Sequence, residues 1–194
     1  MQTLERPTQS ETLERPFKRL YTLEEFFKMG ELGLFKDQRV ELVDGEVLIV
    51  PPQGFKHSGE IALLNERLRD QFANRAVVWV QLPIILDSVG KIYLEPDLSL
   101  LRPPLEQYRE RFATPEDAFL VIEVSVSSLE DDRTRKLELY ANNGIPEYWI
   151  INVEAKQLEV YREPEGKTYR NKQTFNAEHA VAPLEFPDAE IRWW

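Results

Sequence analysis

Three charged side chains occupy positions from which they could carry out chemistry together. Asp97 follows Glu95-Pro96, Glu123 interrupts an otherwise apolar run, and Lys136 lies in the charged segment downstream. A carboxylate within an apolar strand is costly unless it lies at the strand end, pairs with a cation or binds a metal ion. Two carboxylates on neighbouring strands can hold Mg²⁺ or Mn²⁺, which prefer oxygen ligands. The metal ion would generate hydroxide and the ammonium group would orient the water or neutralise charge, so the set could hydrolyse a phosphodiester.

Each of these residues also has a purely structural interpretation. Pro-Asp is a common turn element, and Glu123 could form a structural ion pair. Asp132 and Lys136 could be a surface pair at positions i and i+4 of a helix. His57, just before a predicted helix, could contact a phosphate or simply precede the helix cap. His179 lies in a polar turn and has no predicted role.

Strand alternation predicts which side chains accompany the two carboxylates. Residues 118–124, with the sequence AFLVIEV, predict a central and fully buried strand. Because successive strand side chains point to opposite faces, Glu123 would share its face with Ser125. By the same rule, Asp97 would lie on one side with Glu95 and Ser99.

The lysine is expected to return to the sheet on a helix. The pattern over about residues 130–142 is helical, with Gly144 available as the left-handed cap. Asp132, Lys136 and Tyr140 fall at i, i+4 and i+8, and therefore share one helix face.

The remaining elements complete a mixed α/β (α+β) pattern. The capping-box pattern of Thr22 to Glu25 predicts the start of a short helix that ends by Gly30 or Gly33, and Asp44-Gly45 predicts a type I′ hairpin turn. A helix over about 58–72, strands over 77–86 and 92–101, and a hairpin over 148–161 are also predicted. Helices between strands indicate a single domain with a mixed β-sheet flanked by helices. We expect the domain to cover residues 20–194 and residues 1–19 to form a disordered tail.

Composition excludes several classes of chemistry. The 194 residues include no cysteine and two histidines, which removes disulfides, thiolate zinc sites and cysteine nucleophiles. The sequence has neither an apolar stretch of about 20 residues nor a secretory signal, so we expect a soluble cytoplasmic protein without a membrane partner. The net charge of −10 argues against a general nucleic-acid binder. It permits a site in which acidic residues hold a divalent metal ion, because the metal ion reverses the local field.

Several spaced segments resemble the Uma2 family. They are VELVDGE at 40–46, EPDL at 95–98, the stretch 121–141 and GIPEYWIIN at 144–152, together with His57 at the start of a helix. The resemblance covers roughly residues 20 to 190. Uma2 was long a domain of unknown function, plentiful in cyanobacteria, and is classed as a restriction-endonuclease-like domain of the PD-(D/E)xK type. The resemblance implies that fold and a Mg²⁺- or Mn²⁺-dependent DNA endonuclease.

The resemblance also implies roles for individual residues. Asp97 resembles the aspartate of the PD element and Glu123 the acidic residue of the (D/E)xK element, and both would be metal ligands. The usual lysine position, two residues after the acid, is Ser125 here. The family uses a lysine on the following helix, and Lys136 fits that position.

Substrate contacts and further ligands are less tightly specified. His57 and Arg133 are the predicted substrate-binding residues, and 102–111, with three arginines and Tyr108, is the predicted substrate-facing loop. Further candidates for ligands or substrate contacts are Glu41, Glu46 and Glu95.

Two other functions remain open. A nuclease fold could serve as a binding or regulatory module, acting as a homodimer whose interface anchors would be Tyr148, Trp149, Trp193 and Trp194. A glycosidase would use two carboxyl groups about 5–9.5 Å apart. The lysine and the resemblance to Uma2 favour the nuclease over the glycosidase.

Overall fold

The computed structural model describes residues 18–87 and 89–194. The tail predicted over residues 1–19 falls almost entirely outside this part of the chain, so that boundary stays a prediction. None of the helices in the described part is long and apolar enough to cross a membrane.

The described residues form strands and helices that alternate along much of the chain. The strands are β1 (Arg39–Val43), β2 (Glu46–Val50), β3 (Val77–Val80), β4 (Ile84–Ile85), β5 (Tyr93–Leu94), β6 (Leu98–Leu101), β7 (Ala118–Ser125), β8 (Glu147–Asn152), β9 (Gln157–Glu165) and β10 (Thr168–Asn176). The helices are α1 (Leu23–Glu31), α2 (Phe55–Phe72), α3 (Leu129–Asp131) and α4 (Leu137–Asn142), with a π-helical segment at Asp132–Lys136 joining the last two.

The strands are arranged in two sheets. The larger sheet has six strands in the order β10-β9-β8-β7-β6-β3, and the smaller has four in the order β2-β1-β5-β4. In the larger sheet β7 and β8 are parallel and the other pairs are antiparallel. A parallel pair needs a crossover connection, and α3, the π-helical segment and α4 supply it. The predicted mixed sheet flanked by helices is confirmed, with a second sheet that the pattern did not indicate.

The predicted central strand is the buried centre of the larger sheet. Every residue of β7 is buried, and its side chains supply both faces of the core. Ile122 and Val124 pack on the side covered by α2, whereas Val121 packs on the side covered by α4. Glu123 therefore points toward the α3–α4 side of the sheet, because alternate strand residues face opposite sides.

Two runs that were predicted as single strands are each divided between the two sheets. The run 77–86 forms β3 and β4, and the run 92–101 forms β5 and β6. Pro83 and Pro96 lie at the two divisions. Proline has no N–H to donate to a strand ladder, so each run breaks there and its second half joins the other sheet. The second break leaves Asp97 directly before β6.

The first predicted helix and hairpin are confirmed. Thr22 Oγ1 accepts from the Glu25 N–H and the Glu25 carboxylate accepts from the Thr22 N–H, completing the capping box. Asp44 and Gly45 have φ of 51° and 80°, as a type I′ turn requires. The hairpin places the start of β1 and the end of β2 next to the cleft described below.

Candidate active site

Asp97 and Glu123 face each other across neighbouring strands. Leu98 of β6 pairs with Ile122 of β7 in an antiparallel register, so Asp97 lies opposite Glu123 in the next position along the ladder. The Val124 N–H donates to Asp97 Oδ2 at 2.9 Å and fixes this end of the strand pair. Both carboxylates are buried. The strand pairing thus brings together two residues that are distant in sequence.

Lys136 reaches the same place from the crossover helix. Its Nζ lies 2.8 Å from Glu123 Oε1 and 3.6 Å from Asp132 Oδ1. The Tyr140 hydroxyl donates to Glu123 Oε1 at 2.7 Å. The predicted shared face of Asp132, Lys136 and Tyr140 is confirmed. The alternative of an exposed surface pair is wrong, because the Asp132 and Lys136 side chains are 1% and 14% exposed.

The helix that carries Lys136 contains a local departure from α geometry. The expected continuous helix has a π-helical segment at Asp132–Lys136, where the Tyr148 hydroxyl donates to the Asp132 carbonyl at 3.1 Å. Single π turns within α-helices are frequent at functional sites. Here the segment carries both Asp132 and Lys136.

Ser125 and Asp132 form a buried hydrogen-bonded pair behind Glu123. The Ser125 hydroxyl donates to Asp132 Oδ2 at 2.5 Å and the Ser128 hydroxyl donates to the same atom at 2.7 Å. Ser125 stands where the common nuclease motif has its lysine. The serine anchors the helix residue one turn before Lys136, so the helix supplies the ammonium group that the strand does not.

His57 contacts Asp97 from the opposite side of the site. Helix α2 begins at Phe55, three residues earlier than expected, so His57 lies within its first turn and not before it. Its Nε2 lies 3.0 Å from Asp97 Oδ2, where an Nε2–H donates to the carboxylate. Gln53 Nε2 donates to Asp97 Oδ1 at 3.4 Å. The sequence analysis did not identify Gln53 as a site residue. The one feature that could have pointed to it is its position in the connector between the β1–β2 hairpin and the helix that carries His57.

Burial and neighbouring charges act differently on the two carboxylates. Burial raises the pKa of Glu123; the Lys136 ammonium group opposes this shift, and the negative charges of Asp97 and Asp132 add to it. Burial also disfavours the charged form of Asp97, but the His57 and Val124 contacts outweigh it and lower the pKa of Asp97 below its usual value. Asp97 is therefore held as an anion, whereas Glu123 needs further positive charge to ionise readily.

Comparison with known proteins identifies the family. A family model described as "Putative restriction endonuclease" matches residues 23–193. The chain belongs to the Uma2 family.

A solved structure shares the fold of this Uma2 chain. The match is the crystal structure of a "putative nuclease belonging to DUF820" from Anabaena variabilis ATCC 29413, with a TM-score of 0.66 and 20% identity over 86% of this chain and 91% of that chain. It confirms the predicted nuclease fold, and family and fold together support a nuclease. The comparison with curated proteins found no match.

Asp97, Glu123 and Lys136 line one cleft of the Uma2 fold, with a volume of about 460 Å³. Its walls come from the end of β2, the connector to α2, the start of α2 and the loop after β7. The side chains that line it are Arg39, Glu41, Val50, Pro51, Pro52, Gln53, Phe55, Lys56, His57, Asp97, Glu123, Val126, Ser127, Ser128 and Lys136. The cleft thus contains every residue predicted as catalytic and one of the two predicted to bind substrate.

The donor set of the cleft fits a hydrated hard cation. In residues 18–87 and 89–194, no group of three or more histidine, aspartate or glutamate side chains is arranged to hold a metal ion. Asp97 and Glu123 nevertheless supply two oxygen donors, and Mg²⁺ usually binds through one or two carboxylates while retaining waters. Asp132 Oδ1 is buried without a hydrogen bond within the described structure, and Lys136 is shared between Asp132 and Glu123. The site is rich in negative charge, as a divalent cation requires.

The other acidic candidates have separate surroundings. Glu41 lines the cleft, and Arg135 Nη2 lies 3.8 Å from its carboxylate. Glu46 is paired with Lys18 in solvent, outside the cleft. Glu95 accepts from Arg39 at 2.9 Å and from the Tyr93 hydroxyl at 3.0 Å, next to the cleft but not lining it. Glu41 is therefore the best placed of the three to act with Asp97 and Glu123.

Arg133, the second predicted substrate-binding residue, lies outside the cleft. Its guanidinium forms an ion pair with the buried Glu159 of β9, through Nε at 2.9 Å and through Nη2, and Arg133 does not line the cleft. Burial opposes ionisation of Glu159, but hydrogen bonds from Arg133, Lys172 and Tyr161 lower its pKa to about 2. This pairing gives Arg133 a structural partner, and its predicted contact with substrate stays a prediction.

Two further sequence expectations do not agree with the structure. Arg102 and Arg111 of the expected substrate-facing loop contact Glu116 and Asp117, and no residue of 102–111 lines the cleft. Most of the expected dimer anchors are also absent from the surface, because Tyr148, Trp149 and Trp193 are buried in the core of this chain; Trp194 is partly buried against it. The sequence shows which arginines and aromatic rings are present, but the orientation of each side chain depends on the residues that it contacts in the folded chain.

Proposed function

We propose that this chain is a Mg²⁺- or Mn²⁺-dependent endonuclease that hydrolyses phosphodiester bonds in DNA. The observation that carries the proposal is the meeting of Asp97, Glu123 and Lys136 in one cleft, two of them from paired strands and one from the crossover helix. Membership of a family whose description reads "Putative restriction endonuclease" supports DNA as the substrate.

The carboxylates have complementary tasks in this proposal. Asp97 and Glu123 would hold the divalent cation, which supplies a bound water of lowered pKa and stabilises charge on the phosphoryl oxygens. His57 and the Val124 N–H keep Asp97 ionised and oriented. Tyr140 fixes Glu123 through the hydrogen bond to Oε1, so that its carboxylate cannot turn freely.

Lys136 acts as a fixed positive charge. Burial disfavours the ammonium form, but Glu123, Asp132 and Glu41 outweigh it and raise the pKa of Lys136. A lysine that stays protonated cannot accept a proton from water. It can orient a water molecule or neutralise the charge that develops on the phosphate during attack.

Metal removal tests this proposal. The purified protein should cleave end-labelled single-stranded, duplex or branched DNA in Mg²⁺ or Mn²⁺, and EDTA should stop cleavage because Asp97 and Glu123 alone cannot activate water. Gel electrophoresis of the products measures this directly. No cleavage of any of the three substrates with either metal ion would contradict the proposal.

A further inference from the structure

An exposed aromatic ring stands at the mouth of the cleft. Phe55, the first residue of α2, is 94% exposed, more than any other large apolar side chain in the described part of the chain. It lines the same cleft as Asp97 and Glu123. Pro51 and Pro52, both exposed, continue the apolar rim on the connector before the helix. Folding gains almost no burial from this ring, so its position is available for contact with a ligand.

Positive charge in and around the cleft is already neutralised. More than half of the lysines and arginines in residues 18–87 and 89–194 form ion pairs with carboxylates. Within the cleft these include Arg39, Lys56 and Lys136. The net charge of the chain is −10. Phosphate contacts by unpaired lysines and arginines are therefore few at this cleft, for a single strand as for a duplex, so nucleic-acid binding here depends more on other contacts such as base stacking.

The shape of the cleft favours a single strand. The Asp97 and Glu123 side chains are only 6% and 2% exposed, within a cleft of about 460 Å³. A phosphate must enter the cleft to reach them, and this volume suits one nucleotide better than a turn of duplex. A single strand bends readily to insert one phosphate, whereas duplex DNA is stiff and must be deformed at an energetic cost to do so.

We propose that Phe55 is a base-stacking platform and that the cleft selects single-stranded DNA or a single-stranded segment within a duplex. Every base has a π face, so an aromatic ring can stack on the bases of a single strand without sequence preference. In a duplex that face is covered by the neighbouring base pair. A base stacked on Phe55 would leave its own phosphate at the entrance to the cleft. As a substrate preference, this inference rests on the proposed nuclease function.

Binding measured without cleavage tests the platform. Fluorescence anisotropy of a short labelled single strand, with EDTA present, should show binding that is weakened about tenfold or more in Phe55→Ala. Phe55→Trp should retain the affinity because it keeps a flat ring, and Phe55→Leu should not because it keeps only apolar bulk. Leu184→Ala removes an exposed apolar side chain that does not line the cleft, and should bind as the parent does. Phe55 is almost fully exposed, so its variants should fold normally.

The outcomes separate this inference from the nuclease proposal. Three results would overturn the platform. Phe55→Ala could bind the single strand as well as the parent does, or Phe55→Leu could bind it as tightly as Phe55→Trp. The third is a loss of duplex binding in Phe55→Ala as large as its loss of single-strand binding. If Phe55→Ala leaves binding unchanged while the parent still cleaves DNA in Mg²⁺ or Mn²⁺, the platform fails and the nuclease stands. If the parent cleaves no DNA but Phe55→Ala weakens single-strand binding, the platform stands and the nuclease fails.

Discussion

Asp97→Asn is expected to lower metal-dependent DNA cleavage by about a thousandfold or more, equivalent to about 4 kcal/mol of transition-state stabilisation. The amide keeps the shape of the carboxylate, and its oxygen can still accept from the Val124 N–H. It removes the negative charge that the proposed metal ion requires. The initial rate of cleavage in Mg²⁺ or Mn²⁺ measures the loss, and thermal unfolding shows whether the fold survives, with an expected cost of about 1 kcal/mol or roughly 2–4 °C.

Asp188→Asn is the matched control for this variant. Asp188 is an exposed carboxylate paired with Arg75, outside the cleft, so the same chemical change should leave the cleavage rate unaltered. Cleavage by Asp97→Asn at the parental rate would remove Asp97 from the site. A large fall in the melting temperature would instead make Asp97 a structural residue.

Lys136→Met is expected to destabilise the fold by about 3–5 kcal/mol, because it leaves buried carboxylates without their cation. The positive charge of Lys136 Nζ offsets the negative charges of Glu123, whose Oε1 lies at 2.8 Å, and of Asp132, whose Oδ1 lies at 3.6 Å. Methionine keeps a chain of similar length, so most of the effect is electrostatic. Urea unfolding measures the change in the free energy of unfolding.

The destabilisation should also depend on pH. Without the opposing ammonium group, the pKa of Glu123 in the folded state rises further above the ordinary carboxyl value of 4.5. The folded state then binds a proton more tightly than the unfolded state, so the stability of the variant falls as pH rises above 4.5. The pKa of Glu123 is already raised to about 8 in the parent, so both proteins should lose stability in parallel between pH 4.5 and about pH 8. The difference between their free energies of unfolding should grow only above about pH 8, where the parent Glu123 ionises and the variant Glu123 does not.

Lys167→Met is the control for Lys136→Met. Lys167 also pairs with a glutamate, Glu138, but both side chains are exposed, at 77% and 51%. An exposed pair contributes about 0–1 kcal/mol, so this variant should unfold almost as the parent does. Equal effects of the two substitutions would mean that Lys136 is not the buried counter-charge of the site.

The sequence predicts the central residues of the site because they break local patterns. Glu123 is conspicuous as a carboxylate in a strand that is otherwise apolar and proves to be fully buried. The spacing of Lys136 and Tyr140 places them on one helix face whatever the tertiary structure. Local periodicity therefore identifies the strand and the helix face that carry the chemistry.

The rest depends on long-range contacts that local patterns do not encode. The register of β6 against β7 sets Asp97 opposite Glu123. This pairing forms because the run 92–101 is divided at Pro96, so that β6 joins the larger sheet while β5 joins the smaller one. The contact of Gln53 with Asp97 depends on how the connector folds back over the sheet. Arg133 lies near Lys136 in sequence, yet its guanidinium forms an ion pair with Glu159 of β9 and does not line the cleft.

Titration of the protein with Mn²⁺ in a calorimeter tests most directly whether Asp97 and Glu123 form a metal site. The parent chain should bind one ion, and Asp97→Asn and Glu123→Gln should each abolish the heat of binding because each removes one of the two carboxylate ligands. Asp188→Asn should bind as the parent does. Absence of binding by the parent, or full retention of binding by both cleft variants, would contradict a metal-dependent nuclease and favour a binding module with a nuclease fold.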